Sequence, residues 1–306
     1  MAKIKHTSAV LVASVGIMAA PAGAAVGGPP IAYAQLSGST QSIYLLNADG
    51  SGKVKLYTTG NKVNVGQIDI RPGGNQLAII ESSVAGGQGV LKIINYSDAG
   101  ASQSVTTIAE PGCTALGVDY HPSDGSLLVS RYCNSAEVQE VRRYANGAWD
   151  ANPLFAVTNG NPSKAAGYVR WLGDGSGFLW AAADTANGAG IQRHNLSNPS
   201  APTRIYSTGS LALPTWFDVA RCAAALDASC AKLLVTNQSG QIHVVTFDDF
   251  GGTDQGTLYS NASDGHFSPD NSRILWRLQT KSDYQLKIDN QILISKGTFA
   301  GKDWRQ

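Results

Sequence analysis

Short apolar runs follow one another along almost the whole chain, and Gly, Pro, Asn and Asp residues separate them. Two such runs are "VLKIINY" from Val90 and "QIHVVTF" from Gln241. Runs of this length between turn residues are typical of β-strands, and a sustained helical period is missing from the sequence. The pattern therefore predicts an all-β protein.

One element recurs: an apolar strand end, a turn with Pro, Gly or Asp, and a second apolar strand. It reads "IDIRPGGNQLAII" from Ile68, "VDYHPSDGSLLVS" from Val118, "VRWLGDGSGFLWA" from Val169 and "GHFSPDNSRILWR" from Gly265. Each copy predicts a β-hairpin. A further copy, which starts at Phe217, has a longer loop in place of the short turn.

The copies place one polar residue at an equivalent position near the end of the first strand. These residues are separated by 50, 51, 48 and 48 positions, and they are Asp69, Asp119, Arg170, Asp218 and His266. A period of about fifty residues is typical of a β-propeller. In the copy from Phe217 the register stays open, because Trp216 could take the aromatic position that Trp171 and Phe267 hold.

Each hairpin is followed by a third and a fourth strand, so one repeat forms a four-stranded antiparallel sheet. The segment before Gly60 supplies only the second, third and fourth strands of such a sheet, and "GKDWRQ" from Gly301 matches the missing first strand. We therefore predict a six-bladed β-propeller of four-stranded antiparallel blades, closed by pairing of the C-terminal strand with the N-terminal blade.

Composition fits this fold, since 43% of the 306 residues are hydrophobic and only 15% are charged. The first residues combine Lys3 and Lys5 with an apolar run from Ala9 to Ala20 and small residues around Gly23. This arrangement is typical of a secretory signal peptide, and the run is too short for a membrane anchor. We predict a signal peptide at 1–24, a single propeller domain at 25–306, and a periplasmic or secreted protein without a membrane span.

The predicted signal contains two lysines and no acid, so 21 of the 23 basic residues remain against 22 acidic ones. A nearly neutral chain without a basic stripe predicts no nucleic-acid partner. Export permits disulfides. The four cysteines allow three connectivities, of which we favour the two local pairs Cys113–Cys133 and Cys222–Cys230, because each would bracket a connection between strands. A metal site is the alternative, but no C-x-x-C spacing and no nearby histidine supports it.

Two segments carry a resemblance to a known family. "FSPDNSRILW" from Phe267 and "IYLLNADGSGKVKLYTTG" from Ile43 resemble the repeat of the TolB-type, WD40-like (PD40) β-propeller family. The resemblance covers nearly the whole chain after the predicted signal. It implies a six-bladed periplasmic or secreted propeller that binds protein, without room for the α/β domain that precedes the propeller in TolB.

The repeated polar position is the candidate ligand site. Alternation along a strand sends this residue and its apolar neighbour in opposite directions, so packing of the neighbours between blades would turn the polar residues towards the central channel. The predicted ring consists of Asp69, Asp119, Arg170, Asp218, His266 and, from the closing strand, Asp303. Such a ring could bind a cation, a small polar molecule or a basic peptide end. The competing interpretation is a polar lining that joins the blades by hydrogen bonds.

Two functions stay open on this basis. The sequence has no nucleophile elbow, metalloprotease motif, phosphate-binding loop or cofactor motif, which favours a monomeric, non-enzymatic scaffold that binds a protein or peptide in the bacterial envelope, with no cofactor and no metal. The alternative is a carbohydrate-binding or carbohydrate-active protein that uses two channel carboxylates as acid and base. Carboxyl groups about 5 to 10 Å apart in an open cleft would favour the enzyme, and carboxylates bound to backbone donors would favour the scaffold. Trp149 is predicted to lie exposed in a loop, as a sugar-stacking residue would.

Overall fold

The structure is a computed structural model. It describes residues 30–83, 88–97, 102–108, 112–133, 138–158, 165–184, 188–208, 213–221 and 231–304. Every regular element in these ranges is a β-strand, which confirms the predicted all-β class. No described residue belongs to a helix with the length and apolarity that crossing a bilayer requires. The predicted signal peptide lies outside the described residues, so its boundary stays a prediction.

In the described residues, twenty-five strands form six antiparallel sheets, which are the blades of a propeller. Blade one consists of β1 (Ile31–Ser37), β2 (Thr40–Leu46), β3 (Val54–Thr58) and β25 (Phe299–Trp304). Blade two consists of β4 (Val63–Ile70), β5 (Gln76–Ser83), β6 (Val90–Tyr96) and β7 (Ser102–Ile108). Blade three consists of β8 (Cys113–Tyr120), β9 (Leu127–Cys133), β10 (Val138–Ala145), β11 (Ala148–Trp149) and β12 (Phe155–Thr158). Blade four consists of β13 (Ala165–Trp171), β14 (Gly177–Asp184), β15 (Gly188–Asn195) and β16 (Asn198–Ser207). Blade five consists of β17 (Trp216–Val219), β18 (Lys232–Thr236), β19 (Gln241–Phe247) and β20 (Gly252–Ser260). Blade six consists of β21 (Ala262–Phe267), β22 (Ile274–Gln279), β23 (Tyr284–Ile288) and β24 (Gln291–Gly297).

The ring closes where the two ends of the described chain meet. β25 pairs antiparallel with β1, so that Trp304 lies opposite Ile31 and Asp303 lies opposite Ala32. The innermost strands contact one another in the order β25, β4, β8, β13, β17 and β21, and β21 contacts β25 again. The predicted closure is therefore confirmed.

The outer strand of blade three is split into two pieces. β11 and β12 both pair with β10, and residues 151–153 between them leave the sheet. Pro153 lies in this interruption. A proline has no N–H to donate to a strand partner, which explains why pairing resumes only after it.

The apolar core of the described residues is divided into six clusters, each between two neighbouring blades. The cluster between blades three and four, for example, packs Leu128 and Val141 against Trp171 and Phe178. The apolar residue after each ring position belongs to one of these clusters, and these residues are Ile70, Tyr120, Trp171, Val219, Phe267 and Trp304. The predicted direction of these side chains is confirmed.

A disulfide joins Cys113 and Cys133, which lie directly opposite each other on β8 and β9. This confirms one of the two predicted local pairs. Cys222 and Cys230 lie outside the described residues, so the second pair stays a prediction.

Neighbouring strands of a blade run in opposite directions, so the loops at their two ends form two different faces of the propeller. One face carries the loops from first to second strand and from third to fourth strand of each blade, and we call it the hairpin face. Residues 71–75, 121–126 and 248–251 are three of its loops. The loops from second to third strand and the links between blades lie on the opposite face.

Candidate functional site

The six predicted ring residues take the same place in their blades. Each is the last residue but one of an innermost strand, so the ring lies near the hairpin-face end of the channel. Their register partners on the second strands are Asp69–Ala78, Asp119–Leu128, Arg170–Leu179, Asp218–Leu234, His266–Leu275 and Asp303–Ala32. The open register of blade five is thereby settled, because Val219 takes the apolar position and Trp216 lies on the same side of β17 as Asp218.

Four ring residues are buried carboxylates, and each accepts a hydrogen bond from a backbone N–H of the next blade. The bonds run to Asp303 Oδ2 from Ile70 N (2.9 Å), to Asp69 Oδ2 from Tyr120 N (2.6 Å), to Asp119 Oδ2 from Trp171 N (2.7 Å) and to Asp218 Oδ2 from Phe267 N (3.0 Å). The donor is always the residue after the ring position, whose side chain packs between the blades. Each carboxylate therefore joins its own blade to the next one.

Arg170 makes a different junction. Its Nε donates to Asp218 Oδ1 at 3.3 Å, and its Nη1 lies 3.8 Å from Asp119 Oδ1. The guanidinium carbon lies 4.7 Å from the centre of the Trp216 ring. One buried cation thus faces the carboxylates of both neighbouring blades, which offsets part of the cost of burying those charges.

Arg221 is a second cation at the ring that the repeat pattern did not reveal. It follows β17 on the hairpin face, and its Nη2 lies 3.5 Å from Asp119 Oδ1. Asn271 of blade six holds its backbone, because Arg221 N donates to Asn271 Oδ1 and Asn271 Nδ2 donates to Arg221 O. Arg221 begins the longer loop that replaces the short turn in the copy from Phe217, so no periodic signal could point to it.

His266 and Asp303 form the sixth junction. His266 Nδ1 lies 3.4 Å from Asp303 Oδ1, and the imidazole ring centre lies 4.9 Å from that of Trp216. Burial, supported by the charges of Lys302 and Arg170, lowers the pKa of His266 to about 3, so the imidazole is neutral at neutral pH. Burial and the nearby carboxylates raise the pKa of Asp303.

A second polar cluster joins blades six and one close to the ring. Lys302 Nζ is buried 3.4 Å from Asp264 Oδ2, and Arg277 Nη2 lies 2.9 Å from the same oxygen. Burial lowers the pKa of Lys302 to about 8. Burial would raise the pKa of Asp264, but Lys302 and Arg277 together lower it. Gln67 adds an uncharged link, because its side chain donates to Val118 O and accepts from Val118 N.

These contacts make the ring a set of links between blades. Its carboxylates meet the backbone donors that the scaffold interpretation expected, and all six ring side chains are buried. In the described residues, no group of three or more His, Cys, Asp and Glu side chains is arranged to hold a metal ion. The ligand-binding role of the ring stays a prediction.

The prediction for Trp149 is wrong. Trp149 belongs to β11 and is half-buried, with its ring centre 5.1 Å from that of Tyr144. The guanidinium carbon of Arg131 lies 4.5 Å from the centre of the indole ring. Because neighbouring side chains already cover part of the ring, Trp149 does not offer a bare platform for stacking a sugar.

The fold is similar to solved propellers, whereas no protein-family model and no curated protein matches the sequence. TolB from Acinetobacter baumannii superposes with a TM-score of 0.65 at 14% identity, over 90% of this chain and 66% of TolB. The chain has a TolB-like six-bladed β-propeller fold. This TolB-like propeller also resembles a chain of the mitotic checkpoint complex, with a TM-score of 0.52 and 15% identity over 87% of this chain and 88% of the other.

Proposed function

We propose that this TolB-like propeller is an exported, non-enzymatic scaffold that binds a protein or peptide partner on one face. The observation that carries the proposal is the engagement of the ring carboxylates. Asp69, Asp119, Asp218 and Asp303 are buried, and each is bound to a backbone N–H of the next blade. A carboxylate that acts as general acid, general base or nucleophile must reach the substrate. The acids of this ring therefore favour a scaffold over a carbohydrate-active enzyme.

Similar folds support a binding role by analogy. The mitotic checkpoint complex is by its name an assembly, and one of its chains has this fold. A closed propeller packs the faces of its sheets against one another and leaves two broad loop-bearing faces. Such a face can recognise a partner without any change to the ring that holds the blades together.

Export is supported by the Cys113–Cys133 disulfide, because disulfides persist in oxidising compartments and are rare in the cytosol. The predicted signal peptide is consistent with the same route. We expect the mature protein in the periplasm or outside the cell. Fractionation of the producing cells, followed by N-terminal sequencing of the mature protein, tests this part of the proposal. An uncleaved chain in the cytosol would contradict it.

Phe250 offers a reporter position on the hairpin face. It lies at the tip of the loop between β19 and β20, and 92% of its surface is exposed. Asp248 Oδ1 accepts hydrogen bonds from Phe250 N at 2.8 Å and from Gly251 N at 2.9 Å. The ordered turn therefore holds a large apolar ring in the solvent, and such aromatic residues are enriched at protein interfaces.

Photo-cross-linking tests the partner. Phe250 is replaced by p-benzoylphenylalanine in the full chain, the producing cells are irradiated, and adducts are identified by mass spectrometry. The same residue at Ile292, which is 47% exposed on the outer strand β24, is the matched control. We expect one dominant protein adduct at Phe250 and none at Ile292. Equal, diffuse labelling at both positions would contradict a specific partner on the hairpin face.

An activity screen tests the non-enzymatic part of the proposal. The purified wild type and the Asp119→Asn variant are incubated with a panel of glycans, and the release of reducing ends is measured. We expect no release from either protein. Release by the wild type that disappears in the variant would overturn the scaffold proposal and support the enzyme.

A further inference from the structure

A cavity outside the channel lies between blades two and three on the hairpin face. Its volume is about 380 Å³, within the range of pockets that bind small molecules. Arg71 and Tyr120 line it together with Arg143 and Tyr144. Neither the contacts of the ring nor the reporter position Phe250 involves these side chains, so the cavity needs an explanation of its own.

Arg71 provides a fixed positive charge in this cavity. Its Nη1 donates to Gln76 Oε1 at 2.9 Å, and the guanidinium lies against Gly125 of blade three. Gly125 has a φ of 70°, and a Cβ added there would lie 2.4 Å from Arg71 Nη2, so the guanidinium needs a glycine at this turn. Arg71 takes part in no ion pair within the described part of the chain, and much of its charge is therefore left for a ligand.

Tyr120 supplies a buried hydroxyl at the same cavity. The side chain is buried, and its hydroxyl has no hydrogen-bond partner among the described residues. Burial raises the pKa of Tyr120, so the hydroxyl stays protonated and can donate. A buried polar group without a partner carries a desolvation cost that a bound acceptor would relieve.

The remaining charges of the cavity nearly balance. Arg143 Nη2 lies 2.6 Å from Asp124 Oδ2, and Arg143 Nε donates to Ser126 Oγ. Asp124 is the one acid in the lining, so the two arginines leave a net charge of +1. Ile93, Leu127 and Tyr144 add apolar surface to the wall, which also carries the uncharged polar side chains of Gln76, Asn95, Thr106 and Asn146. The cavity thus combines the unpaired guanidinium of Arg71 and the buried hydroxyl of Tyr120 with a wall that is partly apolar and partly polar.

We propose that this cavity binds a carboxylate that carries an apolar group, with Arg71 and Tyr120 donating to the carboxylate oxygens and Ile93, Leu127 and Tyr144 contacting the apolar part. A planar guanidinium matches a carboxylate through two parallel hydrogen bonds. The carboxylate can come from a free acid or from the C-terminus of a peptide that ends in an apolar residue. The inference does not depend on the partner proposed above, because a free acid satisfies it.

Isothermal titration calorimetry with three probes tests the site. The probes are 3-phenylpropionate, an acetylated tetrapeptide that ends in leucine with a free carboxylate, and the same peptide with a C-terminal amide. We expect at least one carboxylate probe to bind and the amide not to bind. Binding of only the first probe identifies a free acid as the ligand, and tighter binding of the carboxylate peptide identifies a peptide C-terminus.

Two variants assign the binding to the cavity. Arg71→Met should weaken the bound probe roughly tenfold or more, because a charge-assisted, bidentate contact is lost. Tyr120→Phe should weaken it about threefold to tenfold and leave the unliganded protein at least as stable as the wild type, since the hydroxyl has no partner to lose. Lys296→Met removes a positive charge from a side chain that is 77% exposed in blade six, and it should change nothing.

Several results would overturn the inference. These are binding of the amide peptide as tightly as the acid, unchanged affinity in both cavity variants, or no heat of binding with any probe. If Arg71→Met does not fold, Tyr120→Phe decides alone, because it retains every contact of the phenol ring. A failed titration together with a specific adduct at Phe250 would overturn this site and leave the scaffold proposal standing.

Discussion

Arg170 of blade four and His266 of blade six occupy the same register position, yet they join their neighbours in different ways. Arg170 contacts two carboxylates, with 3.3 Å from its Nε to Asp218 Oδ1 and 3.8 Å from its Nη1 to Asp119 Oδ1. His266 is neutral, and neither of its ring nitrogens has a hydrogen-bond partner within the described residues. At the Arg170 junction opposite charges are paired. At the His266 junction both groups favour their uncharged forms, because the pKa of His266 is lowered and the pKa of Asp303 is raised.

The comparison shows that equivalent positions of the repeat contribute unequally to the free energy of unfolding. The four carboxylate junctions each satisfy one backbone donor, and the Arg170 junction reduces the repulsion among buried acids. His266 contributes mainly packing against Trp216 of blade five. We therefore expect substitutions at equivalent positions of the ring to differ widely in their effect on the free energy of unfolding.

The largest effect is expected from removing most of the innermost strand of blade one, which contacts both blade two and blade six. Deletion of residues 301–306 takes away Asp303, which accepts from Ile70 N, and Trp304, which packs against Ile31 and Leu275. Loss of a buried tryptophan alone costs about 3–5 kcal/mol, and β1 would gain an unpaired edge. Circular dichroism and thermal unfolding should show a chain without a cooperative transition. An unchanged melting temperature would contradict the closure of the ring by β25.

Arg170→Met is expected to have the next largest effect. It leaves Asp119 and Asp218 buried without their shared cation, which should lower the free energy of unfolding by about 3–5 kcal/mol. Arg273→Met is the matched control, because Arg273 pairs with Asp289 at the surface, where such pairs contribute about 0–1 kcal/mol. Urea unfolding measures both. Equal losses in the two variants would refute the role of Arg170 as the central cation.

Two substitutions at Asp69 distinguish the contribution of its hydrogen bond from that of its negative charge. Asp69→Ala leaves the buried N–H of Tyr120 without its acceptor and should cost about 1–3 kcal/mol. Asp69→Asn keeps an acceptor and removes a negative charge that raises the pKa of Asp303, so its cost should be smaller than that of alanine. Urea unfolding of both variants at pH 7 tests the order. A costlier asparagine than alanine would show that the charge, and not the hydrogen bond, holds this junction.

The smallest effect at neutral pH is expected at His266, and it should grow in acid. Its pKa is about 3 when folded and about 6.5 when unfolded, so below pH 6.5 the unfolded chain binds a proton that the folded one does not. The stabilising contribution of the neutral imidazole is complete above pH 6.5 and is lost as the pH falls towards 3. Relative to His266→Gln, the wild type should lose up to about 1.4 kcal/mol per pH unit in this window.

Urea unfolding of the wild type and His266→Gln at pH 4, 5, 6 and 7 checks this slope. Asp303 acts in the opposite direction, because its raised pKa makes its contribution fall as the pH rises. The difference between the two proteins, and not the slope of the wild type alone, is therefore the quantity to compare. A constant difference across the four pH values would show that His266 keeps an ordinary pKa in the folded state.

Repetition explains how much of this molecule could be predicted from its sequence. The spacing from Asp69 to His266 fixed the blade count and the ring position, and alternation fixed the direction of neighbours such as Trp171. The longer loop of blade five and the contacts across neighbouring blades do not recur with the period of the repeat. Arg221 reaches Asp119 from such a loop, and Arg71 meets Tyr120 only across the groove between two blades. A pattern within one strand cannot report contacts of this kind, because they depend on how two sheets face each other.

The pairing of β25 with β1 also sets the order in which the protein can mature. β25 follows every other strand of the described residues along the chain, so blade one must wait for it with the edge of β1 open. Any chain released before β25 is made keeps that edge exposed, so it remains a target for proteases and for edge-to-edge association. The closing strand therefore protects an edge of β1 that would otherwise lie open.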